Sequence, residues 1–206
     1  MSLRYLITEP QKSDFSTLKG NYSDLTKLLL ANRGITNAVT AEKFLSPDYD
    51  THLYDPFLMK DMEKAVERII KAINANEKIV IYGDYDCDGI PASVILHDFF
   101  KKIGYKNFTN YIPHRHREGY GLHAEAIDQF AKDGVTLLIT VDLAIANVTE
   151  VAHAESLGIN VIVTDHHLPQ EIIPKAFAVI NAKQSGDQYP DKMLSGAGVA
   201  WKLVQA

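Results

Sequence analysis

Four short strand-like runs, at residues 78–82, 108–112, 137–141 and 161–164, all mainly apolar and the second interrupted by Thr109-Asn110, constrain the fold of this chain more than any other feature. Each is too short for a buried helix. Runs that lack a polar alternate face belong to strands covered on both sides, and such strands occur in parallel sheets. Between them lie helix-length segments at 92–103, 124–132 and 147–157, and a further one at 62–74 precedes the first run. On the 62–74 segment, Met62, Val66, Ile69, Ile70 and Ile73 are expected to share one face. Strand and helix in alternation define the α/β class, here a parallel sheet with helices on both faces. With 206 residues, 46% of them hydrophobic, the chain can bury one large core.

The stretch before this alternation reads differently. Two short helical patterns, 24–33 and 41–45, are separated by the stop Asn32-Arg33-Gly34, and turn-rich segments follow at 46–50 and 54–56. The expected organisation is a helical lead-in over residues 1–55 and one main domain over 56–206. No apolar run is long enough to span a bilayer, and residues 1–14 lack the basic and apolar regions of a signal peptide. A cytoplasmic protein with no membrane partner is expected. The single cysteine, Cys87, has no internal partner for a disulfide, and no zinc-finger spacing occurs.

Ligands of open parallel sheets bind beyond the carboxyl ends of the strands. That is where the acids fall. Asp84, Asp86 and Asp88 follow the first run, Asp142 the third, and Asp165-His166-His167 the fourth. Three carboxylates at alternate positions repel one another unless a cation compensates. Hard oxygen combined with imidazole suits a divalent metal, manganese first and magnesium second. Two such ions sharing a carboxylate would activate water and stabilise in-line displacement at phosphorus. The formal charge of −5 argues against coating nucleic acid through a general positive field, but bound cations would invert the field locally.

Plainer readings compete with each of these. The spacing Asp84-x-Asp86-x-Asp88-Gly89 also opens like a calcium-binding loop, although Ile95 stands where such a loop needs its twelfth-position acid. A solvated acidic turn is another alternative. Histidines in pairs are often surface residues, but the place of His166 and His167 at a strand end, directly after Asp165, favours ligation. The cluster His114-Arg115-His116-Arg117 is expected to face the acids, with Arg115 gripping a phosphate and His114 adding a donor. A solvated basic turn suits Arg117 better. Gly196 and Gly198 open an apolar helical run and would offer amides to an anion, against the simpler reading of close helix packing. Trp201 lies on the apolar face of that run and reads as core.

In their order along the chain, DYDCDG, IPHRHREGYGL, TDHH and SGAGVAWKL resemble the DHH phosphoesterases. The segments LLLANRGI, AEKFLSP and LYDPFLMKDMEKAVERI resemble the region before the catalytic core in the family's single-strand-specific DNA exonucleases. The likeness runs from residue 28 to the last residue. It implies that Asp86 and Asp88 bind metal, one at each of two sites, that Asp142 bridges them, and that His166 is a further ligand. It places His167 beside the scissile phosphate, Asp165 behind the pair as its orienting partner, and Asp84 outside the ligand set. The implied activity is metal-dependent hydrolysis of single-stranded DNA from the 5′ end to mononucleotides, in repair and recombination, with repair proteins as partners.

The chain departs from the family pattern in several places. Tyr82 stands where the family's pyrophosphatases have a histidine ligand, which disfavours that activity. Leu143-Ala144-Ile145 follow Asp142 where a small residue and then glycine are common, so bulk is expected near the metal edge. Cys87 replaces a usual alanine and reads as a small packing residue. Family members supply a further aspartate ligand and a substrate-binding domain beyond the segment at 195–203, so the chain is expected to be C-terminally incomplete and weak or inactive alone. Two other functions compete: cleavage of short oligoribonucleotides or cyclic dinucleotides, which the lead-in disfavours, and a non-catalytic module that binds a partner or nucleic acid.

Overall fold

The computed structural model describes residue 18 and residues 20–206. Residues 1–14, where no signal peptide is expected, lie outside the described residues. The chain divides after Leu53 into two compact units. In the first, α1 (Asp24–Ala31), α2 (Ala38–Leu45) and α3 (Tyr49–His52) each begin at a capping side chain. Ser23, Asn37 and Asp48 accept hydrogen bonds from the amides of Thr26, Thr40 and Thr51, satisfying donors that a helix start leaves free. Leu18, Leu30 and Ala41 form a small buried cluster there.

The second unit begins with a 3-10 turn at Pro56–Leu58 and α4 (Met62–Asn74), then follows the order β1 (Lys78–Gly83), α5 (Gly89–Lys102), β2 (Phe108–Tyr111), α6 (Ala124–Lys132), β3 (Val135–Val141), α7 (Val148–Ser156), β4 (Asn160–Thr164), β5 (Ala178–Ile180) and α8 (Gly196–Gln205). All strand pairs are parallel, in the order β2-β1-β3-β4-β5. The expected fold class holds.

Alternate side chains of each strand enter two separate cores. Ile79, Ile81, Leu137 and Ile139 pack on one face with Met62, Leu96, Phe100 and Leu203 from α4, α5 and α8. Val80, Leu138, Val161 and Val163 pack on the other with Ile127, Phe130 and Val151 from α6 and α7. Because β1 lies between β2 and β3, the chain leaves β1 in one direction and passes over it in the other. This is a topological switch point, and it opens a crevice at the carboxyl ends of β1 and β3.

Two local expectations need correction. On α4 the inward stripe is Met62, Ala65, Ile69 and Ala72, while Ile70 is 52% exposed. The spacing 62, 65, 69, 72 follows one helical face, and Ile70 stands about 100° round from Ile69. The strand β5 was not anticipated. All three of its residues are buried.

At the opposite end of the sheet from the crevice, Arg68 is nearly buried. It pairs with Glu77 at 2.7 Å and donates to Asn160 Oδ1 at 2.8 Å and to the Thr136 carbonyl at 3.3 Å. These bonds tie α4 to the start of β3 and β4. Burial pushes the Glu77 carboxyl up, but the hydrogen bonds from Thr136 and Arg68 outweigh it and hold the group below its ordinary range.

Candidate metal centre

The loop after β1 carries Asp84, Asp86 and Asp88. Asp86 Oδ1 accepts the amides of Asp88 and Gly89, both at 2.9 Å, so it caps α5 from three residues away. The Gly89 amide is the main reason its carboxyl is held low. Asp84 is nearly buried, and burial raises its carboxyl. Asp88 accepts from the α8 amides, Gly196 N to Oδ2 at 2.8 Å and Ala197 N to Oδ1 at 3.0 Å. The anion that meets this helix start is therefore a side chain of the chain itself.

The Gly198 amide is also engaged, donating to the capping hydroxyl of Ser195 at 3.1 Å. Neither glycine amide is turned to a free anion, as the anion-binding expectation required. Gly196 has a different role. A Cβ at that position would stand 2.0 Å from Asp142 Oδ1, so only glycine lets α8 approach so closely.

Asp142 follows β3 with φ 65° and is fully buried. Neither of its carboxylate oxygens has a hydrogen-bond partner. Burial first, then Asp88 and Asp86, push its carboxyl up to about 8. The charge of His167 offsets part of this shift, and His166 Nε2 lies 3.2 Å from Asp142 Oδ1 and 3.7 Å from Asp88 Oδ2. His166 Nδ1 is 3.1 Å from the carbonyl of Leu194, which accepts its proton and leaves the Nε2 lone pair directed at the acids.

His167 is turned by Asp165. Its Nδ1 lies 2.7 Å from Asp165 Oδ1, which also accepts the amides of His166 and His167 at 2.7 and 3.0 Å. The other Asp165 oxygen accepts the amide of Ile145 at 2.9 Å. Burial pushes the Asp165 carboxyl up, but these bonds prevail and hold it low, while the same contact raises the His167 imidazole.

The donor atoms fall into two groups, each within 4.8 Å: Asp84, Asp86 and Asp142 in one, Asp142, His166 and His167 in the other. Asp142 belongs to both. Asp84, expected outside the ligand set, lies in the first group, and Asp88 lies in neither. The donor set fits divalent cations, because a buried carboxylate with no partner, flanked by others, is unstable without positive charge.

The bulk expected near the metal edge lies elsewhere. Leu143, Ala144 and Ile145 are buried in the core under α6 and α7. Their turn is held by Thr140 Oγ1 donating to the Leu143 carbonyl at 3.1 Å. Ala144 adopts φ 88°, a conformation costly for any residue with a Cβ. Ala144→Gly is expected to stabilise the fold by about 1 kcal/mol, read as a rise of roughly 2–4 °C in melting temperature.

Of the basic cluster, Arg115 stacks its guanidinium over the Tyr85 ring at 4.3 Å, and its charge offsets a small part of the rise that burial imposes on Asp84. His114 instead faces its own loop, accepting the His116 amide at Nδ1, 3.3 Å away. Sequence reading missed Asn181 and Lys183. Asn181 Nδ2 donates to the His167 carbonyl at 2.9 Å and Lys183 Nζ to the His166 carbonyl at 2.5 Å, fixing the histidine turn from the end of β5. The apolar run 176–180 before Asn181 was the available signal, of the same kind as those that marked β1 to β4.

A parallel sheet whose switch point gathers aspartates and histidines around a shared carboxylate is an arrangement suited to holding divalent cations. The chain belongs to the DHH family: the profile of the DHH family, N-terminal domain, matches residues 78–206. Among curated proteins it is 42% identical to the single-stranded-DNA-specific exonuclease RecJ of Bacillus subtilis, over 99% of this chain and 26% of that protein. It is 36% identical to RecJ of Escherichia coli, over 88% of this chain and 31% of that one. The chain thus spans about a quarter to a third of these relatives. A crystal structure of exonuclease RecJ bound to manganese matches 71% of this chain and 37% of its own, with 33% identity and a TM-score of 0.64. RecJ from Thermus thermophilus in complex with Mn2+ matches 95% of this chain and 26% of its own, with 25% identity and a TM-score of 0.67. Among the described residues, no helix is long and apolar enough to cross a membrane.

Proposed function

We propose that this chain carries the metal-binding part of an exonuclease that hydrolyses single-stranded DNA from the 5′ end and releases mononucleotides. The observation that carries this reading is Asp142, buried, unpartnered at both oxygens and common to two groups of donors. Its relatives' printed function, exonuclease action on single-stranded DNA, supplies the substrate class.

Asp84, Asp86 and Asp142 would hold one cation, and Asp142 with His166 would hold a second, with Asp88 in reach of it. The mixed oxygen and imidazole donors favour manganese, with magnesium as the alternative. When bound, the pair supplies a nucleophile at neutral pH and neutralises charge developing on the phosphate. The chain's own residues do the rest. His167, oriented by Asp165, would lie beside a scissile phosphate and, in the protonated form that Asp165 favours, would donate a hydrogen bond to it from Nε2. Arg115, steadied on Tyr85, offers a fork of donors to a phosphate oxygen. Gly196 and Ala197 fix Asp88, and Asn181 and Lys183 fix the histidine turn. Such a substrate would suit a role in DNA repair and recombination, in the cytoplasm and beside repair proteins.

The test is digestion of 5′-labelled single strands, duplexes and RNA by a chain extended to the length of these relatives, with manganese, magnesium or chelator. Labelled mononucleotide is expected first, from single-stranded DNA and only with metal. Cleavage confined to short oligoribonucleotides or cyclic dinucleotides would replace the substrate assignment. Metal binding without any cleavage would instead indicate a binding module.

A further inference from the structure

Tyr120 stands at the rim of the metal centre and has no part in the roles assigned so far. Its ring is edge-on to His167, with centroids 6.3 Å apart and planes at 76°. Although it is 53% exposed, both sides of its loop are fixed. On the downstream side, Tyr82 Oη donates to the Gly121 carbonyl at 3.1 Å, and the Leu122 amide donates to Asn147 Oδ1 at 3.4 Å. On the upstream side, the Glu118 carboxylate accepts the His114 amide at 2.6 Å and the hydroxyl of Tyr111. The ring of Tyr111 in turn stacks on that of Tyr82, with centroids 5.0 Å apart.

The loop therefore presents an aromatic face beside His167 from a braced base. Burial, followed by the charges of Asp165, Asp84, Asp142 and Asp86, pushes the phenol up, so it remains neutral. A neutral aromatic beside a phosphate site meets the base one sugar away, and every base has a face to stack on it. A paired base is stacked within its own duplex and is not free to do so.

Resting on the phosphodiesterase reading above, we propose that Tyr120 is the platform on which the unpaired nucleobase next to the scissile phosphodiester stacks, and that it contributes to selection of single strands. This differs from a merely structural part in bracing the His167 ring, because stacking depends on the base and bracing does not.

Affinities are compared, by fluorescence anisotropy, for two otherwise identical oligodeoxynucleotides, one with an ordinary 5′-terminal nucleotide and one abasic there. The wild-type chain, Tyr120→Phe and Tyr120→Leu are each measured with manganese and with chelator, and manganese binding is followed separately by calorimetry. With manganese, the wild-type chain and Tyr120→Phe are expected to prefer the base-bearing strand by about tenfold, and Tyr120→Leu to lose that preference with manganese affinity unchanged. Equal wild-type affinity for the two strands, or a preference that survives in Tyr120→Leu, overturns the proposal. So does an equal loss on both strands accompanied by weaker manganese binding, which would make Tyr120 a brace for His167. If the preference holds while a chain extended to the length of its relatives cuts neither strand, the stacking site stands and the hydrolytic reading fails.

Discussion

Asp142→Asn is expected to make the metal-free protein more stable and to abolish its response to metal. The carboxyl is fully buried, and its burial together with Asp88 and Asp86 raises it to about 8. An unfolded chain ionises this group near the ordinary aspartate value of 3.8. Between those two values the folded state holds a proton that the unfolded state has lost, so stability of the metal-free chain falls as pH rises through the window and levels off above it. Asparagine removes the ionisation, keeps nearly the same volume and tolerates the φ of 65°. The expected gain near neutral pH is about 2–4 kcal/mol, or roughly 5–10 °C in melting temperature. It should shrink as pH falls toward the lower end of the window. Manganese should stabilise the wild-type chain strongly, and more so at higher pH, while leaving the variant unmoved. Scanning calorimetry across this range, with and without manganese, reads both effects. An asparagine variant less stable than wild type at alkaline pH without metal would contradict the picture of an uncompensated buried charge.

Gly196→Ala is expected to weaken manganese binding by about 10- to 100-fold. The new methyl group would lie 2.0 Å from Asp142 Oδ1, 2.4 Å from its Cγ and 2.6 Å from its Cβ. Asp142 sits on a strand end with both neighbours buried, so α8 must shift, and with it the amides of Gly196 and Ala197 that hold Asp88. One substitution therefore disturbs two carboxylates. Gly198→Ala, two residues on, is the control. Its Cβ would meet Leu194 Cδ2 no closer than 3.4 Å, and the change should leave metal affinity intact. Titration of both variants by calorimetry separates a steric effect on the metal centre from a general effect on the helix. Equal losses in the two would show that the close approach of Gly196 to Asp142 is unimportant.

Much of the fold was legible because its signals are local. The apolar runs that became β1, β3 and β4 each contain enough consecutive buried residues to stand out, and their helices begin or end within three residues of the expected limits. β5 was missed although the apolar run 176–180 marks it, because no helix-length segment separates it from β4 and the strand-helix alternation breaks there, and with it Asn181 and Lys183 went unrecognised. Ile70 was assigned to the buried face because hydrophobicity alone cannot say which part of a wide apolar stripe turns inward. At the site, residue types and strand ends identified the acids and the histidines. The grouping of Asp84 with Asp86 and Asp142, and the seating of Asp88 on α8, depend on side-chain directions that no spacing encodes.

The sequence by itself determined a parallel α/β sheet and a concentration of aspartate and histidine at its strand ends, because both follow from the pattern within short windows. The tertiary structure alone decided that β1 lies beside β3, that Gly196 presses against Asp142, and that Tyr120 stands at His167. Those are contacts between segments distant in the chain. They are set by how two cores pack on opposite faces of one sheet, and no local stretch of residues carries that information.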